Sequence, residues 1–208
     1  MRTNWLPLTV LPLLFACSHP EAAASSPSST SASPAANTAP VATTAMAAPP
    51  TAAAAPTAEA STLLAVGSQV PDVSAVEQGG KTIKLRELKG KPLIVYFYPK
   101  DDTTGCTIEA KGIRDQYKEL KERAVVLGVS SDTQDSHKAF ADKYSLPFPL
   151  LVDTSHAVAE AFGVPLNGGH AKRVTFVIDK DGKVAKVFPN VNPDGHATEL
   201  LDALKTLS

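Results

Sequence analysis

Three observations predict an α/β layer fold, with a mixed central sheet flanked by helices. From residue 63 onward, short apolar and β-branched runs alternate with amphipathic helical segments. One of these runs, Leu93-Ile94-Val95-Tyr96-Phe97-Tyr98, is apolar at every position, as in a strand covered on both faces. Near the end, Asp179-Lys180-Asp181-Gly182 separates two apolar runs and reads as a hairpin turn, which adds antiparallel pairing to the sheet.

The elements follow in order. Gly79-Gly80 centres a small first hairpin. The Leu93–Tyr98 strand ends at Pro99. Residues 107–122 read as one helix, because Ile113, Tyr117 and Leu120 share a face. Val125–Val129 is the next strand, and Ser130-Ser131-Asp132-Thr133 is a polar cap before a helix over 134–144 that buries Phe140 and Tyr144. A strand is expected over 148–152. Asp153-Thr154-Ser155 then caps a helix ending at Gly163, and Gly168-Gly169 marks a mobile loop. Val174–Ile178 and Val184–Phe188 form the closing hairpin. Asp194-Gly195 opens a last helix with Leu200, Leu201, Leu204 and Leu207 on one side. No internal repeat is present.

The first 62 residues have a different character. Arg2 precedes an apolar run from Trp5 to Ala16, which is a leader too short to span a bilayer and is interrupted by Pro7 and Pro12. Residues 1–16 are therefore expected to be a signal peptide. Leu14-Phe15-Ala16-Cys17 resembles the lipobox of bacterial lipoproteins. That resemblance implies acylation of Cys17, export, and anchoring of the chain to a membrane of the cell envelope. Ser18, in place of Asp, leans towards the outer membrane if the cell has one. The alternative is an ordinary secretory signal with an incidental cysteine. Residues 17–62 are almost entirely Ala, Pro, Ser and Thr. Such a segment cannot bury enough apolar surface to offset the entropy of ordering, and it reads as a disordered tether. At ~5–6 Å × √n its span is roughly 35–40 Å. Residues 63–208 are left as the folded domain.

Only two cysteines occur, Cys17 and Cys106. Cys106 lies where the Leu93–Tyr98 strand gives way to a helix. A free thiol has a pKa of roughly 8.5, and the unpaired N–H groups and positive dipole end of a first helical turn depress it. The bland alternative is a small buried core cysteine.

Pro99-x-x-x-Thr103-x-x-Cys106 resembles the signature of the peroxiredoxins. Tyr96-Phe97-Tyr98-Pro99-Lys100 and Gly105-Cys106-Thr107 are most similar to the bacterioferritin comigratory protein, or peroxiredoxin Q, branch. Arg173-Val174-Thr175-Phe176-Val177-Ile178-Asp179 is similar to the family's arginine-bearing strand, and the likeness covers residues 63–208. It implies a thioredoxin-like fold, with Thr103 where a thioredoxin has the first cysteine of its pair. It also implies roles. Cys106 is the nucleophile. Arg173 stabilises its thiolate and the charge on the departing oxygen, the alternative being a solvated charge beside Lys172. Thr103 hydrogen-bonds the sulfur and the peroxide, or caps the helix, or both. Pro99 shapes and dries the pocket, or simply ends the strand. Glu109 orients the arginine, or is an exposed first-turn acid.

This branch often carries a resolving cysteine five residues after the nucleophile, and here that position is Lys111. The implied enzyme is a one-cysteine peroxiredoxin. It reduces hydrogen peroxide or organic hydroperoxides and depends on an external thiol: a thioredoxin- or glutaredoxin-like protein or a small thiol. The alternatives are a thioredoxin-fold thiol–disulfide exchange protein and a thiol-based redox sensor in the cell envelope. No cofactor is expected. The five histidines lack metal-ligand spacing, and Asp101 and Asp102 are expected to face solvent. With a net charge of −1 and no basic cluster, nucleic acid is not an expected partner.

Overall fold

The computed structural model of the protein describes residues 62–207. The expected signal peptide, Cys17 and the tether up to residue 61 lie outside them. A seven-stranded mixed sheet organises the described residues. Its strands are β1 (Ser74–Glu77), β2 (Thr82–Lys84), β3 (Leu93–Phe97), β4 (Val125–Ser130), β5 (Leu150–Val152), β8 (Val174–Ile178) and β9 (Val184–Phe188), in the spatial order β2-β1-β5-β4-β3-β8-β9. β3, β4 and β5 are parallel, and the remaining pairings are antiparallel. A separate two-stranded ribbon pairs β6 (Leu166–Asn167) with β7 (His170–Ala171).

β3 is central because each of its five residues is apolar and buried. Its side chains alternate between two cores, as a period of two requires. Ile94 and Tyr96 join Ala110, Ile113, Phe140, Phe148, Leu200 and Leu204 on one face. Leu93, Val95 and Phe97 join Leu127, Val129, Phe162 and Phe176 on the other. The first face is covered by α1 (Thr104–Asp115), α2 (Tyr117–Arg123), α3 (Gln134–Tyr144) and α5 (His196–Lys205). Burial of these large side chains contributes on the order of 1.5–3 kcal/mol each. Close packing also explains Gly128, where a Cβ would sit 2.7 Å from both Leu150 Cδ2 and the Tyr96 hydroxyl.

The structure corrects several expectations. The single helix over 107–122 is two helices, α1 and α2. The backbone departs from helical geometry at Gln116 (φ −100°, ψ 7°), where a side-chain amide donates to Thr198 Oγ1 on α5. The strand expected over 148–152 is only Leu150–Val152. Pro149 has no N–H to give the ladder, and the Phe148 carbonyl is taken by Gln78 Nε2. α4 is short, Ala157–Ala161, although Asp153 does cap it, its carboxylate accepting from the Val158 and Ala159 N–H groups at 3.0 and 2.8 Å. Gly168-Gly169 is no open loop. Both glycines have positive φ, 58° and 79°, and they form the two-residue turn of the β6–β7 ribbon.

Candidate active site

The register of the sheet assembles the site. β8 runs antiparallel to β3 with Val174 opposite Phe97, so Arg173 emerges beside the loop that follows β3. That loop, Pro99–Thr103, leads from the carboxyl end of a parallel strand into α1, the position where open α/β sheets place ligands. Cys106 lies in the first turn of α1 and is 2% exposed. Arg173 Nη2 is 3.2 Å from Cys106 Sγ. Glu109 stands three residues further along α1, hence on the same face, and its Oε2 accepts from Arg173 Nη1. One guanidinium fork thus spans the sulfur and the carboxylate.

Burial dominates the electrostatics. Glu109 is 1% exposed, and removal from water pushes its carboxyl up to about 7 against the opposing pull of Arg173. Burial draws Arg173 down, but Glu109 and the Cys106 sulfur outweigh it and hold the guanidinium above its ordinary value. Glu109 Oε1 is buried with no hydrogen-bond partner. The consequence for stability has a definite sign. Between 4.5 and about 7 the folded carboxyl holds a proton that the unfolded chain has released. Its contribution is therefore complete below 4.5 and is lost as pH rises through about 7. The raised value corresponds to roughly 3 kcal/mol between the two limits. Urea midpoints at pH 5 and pH 8 are expected to show wild type losing stability relative to Glu109→Gln. Parallel behaviour of the two proteins would place Glu109 in water.

The other expected residues are distributed as follows. Thr103 occupies the N-cap position of α1 in extended conformation (φ −81°, ψ 152°) but makes no side-chain cap. Its exposed hydroxyl donates to the Lys100 carbonyl at 3.0 Å, closing the preceding turn, and is not hydrogen-bonded to the sulfur. Pro99 is half-buried, two residues past the end of β3. Lys111 is exposed on α1, and Cys106 is the one free cysteine among the described residues. Gly105 leaves room for the arginine, since a Cβ there would lie 3.3 Å from Arg173 Nη2 and 3.6 Å from Pro193 Cγ. A surface groove of about 320 Å³ is lined by Lys172, Arg173, Pro189, Asn190 and Val191. A larger groove of about 520 Å³, between Gln78 and α3, includes none of these residues.

Asp101 and Asp102 do not both face solvent. Asp101 is 7% exposed and is bound by Tyr98, Ser136 and His137. Asp102 is exposed and pairs with Lys143 and Tyr144. Sequence reasoning missed His137, which is fully buried. Its spacing three residues before Phe140, on the apolar face of α3, was the available signal. Asp101, Asp132 and His137 bring ligand-type atoms within 4.8 Å of one another, but those atoms are engaged in protein hydrogen bonds.

Such an arrangement suits a buried thiolate that meets a small polarisable substrate: a cation on the sulfur, an acid on the cation, and apolar walls. Comparison with known proteins bears on which substrate. Residues 66–187 match the AhpC/TSA family. The chain is 42% identical over 153 residues to peroxiredoxin Bcp of Bacillus subtilis, covering 70% of this chain and 98% of that one. It is 45% identical over 145 residues to the chloroplastic peroxiredoxin Q of Sedum lineare, covering 68% and 78%. Among solved structures it is similar to the bacterioferritin comigratory protein of Xanthomonas campestris, described for alkyl peroxide reduction. There the TM-score is 0.64 at 34% identity, over 69% of this chain and 96% of that one.

Proposed function

Because this chain belongs to the AhpC/TSA family and is a thiol-dependent peroxidase of the Bcp/peroxiredoxin Q branch, we propose that it works as a one-cysteine enzyme on hydrogen peroxide and alkyl hydroperoxides. The observation that carries the reading is the 3.2 Å contact between Arg173 Nη2 and Cys106 Sγ inside a buried site.

The Cys106 thiolate attacks the terminal peroxide oxygen. An S–O bond forms as the O–O bond breaks, sulfur is oxidised by two electrons, and the departing alkoxide or hydroxide takes up a proton to leave as alcohol or water. Arg173 lies where it meets negative charge on the sulfur before the step and on the oxygens during it, so its contribution grows in the transition state. Glu109 holds the other arm of the guanidinium and fixes its direction. Pro99 shields the loop side of the pocket. Thr103 offers its hydroxyl to the peroxide on exchanging its bond to Lys100.

The sulfenic acid is then resolved from outside. Lys111 carries no sulfur, and Cys106 and Cys17 are the only cysteines of the chain. An external thiol condenses with the sulfenic acid to a mixed disulfide and water, and a second thiol releases Cys106. A small thiol or a thioredoxin- or glutaredoxin-like protein fits this role. The leader and Leu14-Phe15-Ala16-Cys17 support export and lipid anchoring at Cys17, which removes that cysteine from the redox cycle.

Mass spectrometry after one equivalent of peroxide tests the one-cysteine cycle. The expected product is Cys106 sulfenic acid, trapped by dimedone, with excess peroxide driving it to sulfinic acid. A Cys106–Cys106 disulfide between chains, with no sulfenic acid trapped, would overturn it.

A further inference from the structure

A second polar cluster lies beneath the active-site loop, and nothing in the mechanism above uses it. We propose that the buried Asp101–His137 pair is a positioning device that sets the Pro99–Thr103 loop for peroxide, an inference that rests on the peroxidase reading.

His137 is fully buried in the first turn of α3. Its Nε2 lies 3.1 Å from the Leu151 carbonyl, which only accepts, so Nε2 carries a hydrogen. Its Nδ1 lies 2.9 Å from Asp101 Oδ2, a contact that requires a proton between the two atoms. The pair as a whole is then neutral, which lets it sit away from water without a net buried charge. Asp101 Oδ2 also accepts from Ser136 Oγ at 2.7 Å, and Oδ1 accepts from the Tyr98 hydroxyl at 2.8 Å. The Asp101 N–H donates to Asp132 Oδ2 at 2.8 Å, and Ser130 Oγ donates to that same oxygen at 2.7 Å. Backbone and carboxylate of one loop residue are thereby tied to the ends of β3 and β4 and to α3.

The next residue is held by the same helix. Asp102 has φ 55°, a left-handed conformation uncommon outside glycine, and its carboxylate is gripped by Lys143 Nζ and the Tyr144 hydroxyl, each at 2.6 Å. α3 therefore clamps two consecutive residues from its two ends. Thr103 follows immediately, and α1 begins after it. An unclamped loop would let the Thr103 hydroxyl drift relative to the sulfur. Even small displacements cost rate when reacting atoms must be aligned. Cys106 itself is held in the core by α1, so its reaction with a reagent that needs no alignment with the loop is expected to be insensitive to the clamp.

Two substitutions at His137 separate this role from general support. Asn places an amide nitrogen near the Nδ1 position and keeps a donor for Asp101. Gln places one near Nε2 and keeps only the donor for Leu151. The readouts are the second-order rate of Cys106 oxidation by peroxide and the rate of its alkylation by iodoacetamide, with folding checked by circular dichroism. His137→Gln is expected to slow peroxide about 100-fold and His137→Asn about fivefold, with alkylation changed less than about threefold in both. A folded His137→Gln protein with a peroxide rate near wild type overturns the inference, as does alkylation that falls in step with the peroxide rate. If both variants unfold, Ser136→Ala decides: about a fivefold loss with peroxide alone supports the clamp, and no loss overturns it. Wild-type protein that consumes no peroxide would overturn the peroxidase reading and this inference together.

Discussion

Changing Cys106 to Ser is expected to abolish peroxide turnover and leave the fold intact. The substitution exchanges one heavy atom for a slightly smaller one at a site that the scaffold already forms, 2% exposed in the first turn of α1. Stability is expected to stay within about 1 kcal/mol of wild type, because no cavity larger than the sulfur–oxygen size difference is opened. Chemistry has no such tolerance. A serine hydroxyl is not ionised at neutral pH and has no accessible two-electron oxidation, so neither attack on the O–O bond nor the sulfenic intermediate is available. A coupled peroxide-consumption assay, alongside thermal unfolding, reads both quantities. A Cys106→Ser protein that keeps most of its turnover would end the proposed mechanism.

The second large effect belongs to Arg173. Arg173→Met keeps length and apolar stem and removes the charge. The guanidinium is three-quarters or more withdrawn from solvent, its side chain 16% exposed, so the field it exerts on the sulfur is poorly screened. Loss of a group that meets charge developing in the transition state is expected to slow Cys106 oxidation by about 10³-fold or more, which is ~4 kcal/mol. Removing Arg173 also leaves Glu109 buried without its partner, which destabilises. The double change Arg173→Met with Glu109→Gln is expected to recover stability without recovering rate. Stopped-flow oxidation with hydrogen peroxide measures the effect. A loss under about tenfold, ~1.4 kcal/mol, would mean that the arginine does not act on the sulfur.

Some of this architecture was legible in the chain and some was not, for physical reasons. Strands β8 and β9 and helix α3 lie where pattern and punctuation put them, because Val174–Ile178 is apolar at every position but Thr175, Gly182 supplies the positive φ of the hairpin turn, and Thr133 caps its helix through Ser136 N–H. Helix ends were less legible. The break at Gln116 depends on a contact with α5, which lies over 80 residues away, and the shortening of β5 depends on Gln78 taking a carbonyl. At the site, sequence order put Cys106 after a strand and Arg173 before one. Only the antiparallel register of β3 and β8 says that the two meet. Thr103 shows the limit of motif reasoning, since spacing cannot tell whether a hydroxyl turns to the sulfur or back to Lys100. Asp101 looked like a solvent-facing loop acid because its partners, Ser136 and His137, come from a helix more than thirty residues on.

The most direct test of the whole account is a count of peroxide consumed per chain by the full-length protein, with and without an added thiol. With a small thiol or a thioredoxin-like donor in excess, the count is expected to rise well beyond one and to keep rising until donor is exhausted. Without a thiol, it is expected to stop near one, or near two as sulfinic acid forms. Consumption that stops at one peroxide per chain whatever thiol is supplied would contradict catalysis and make the protein a stoichiometric sensor of peroxide.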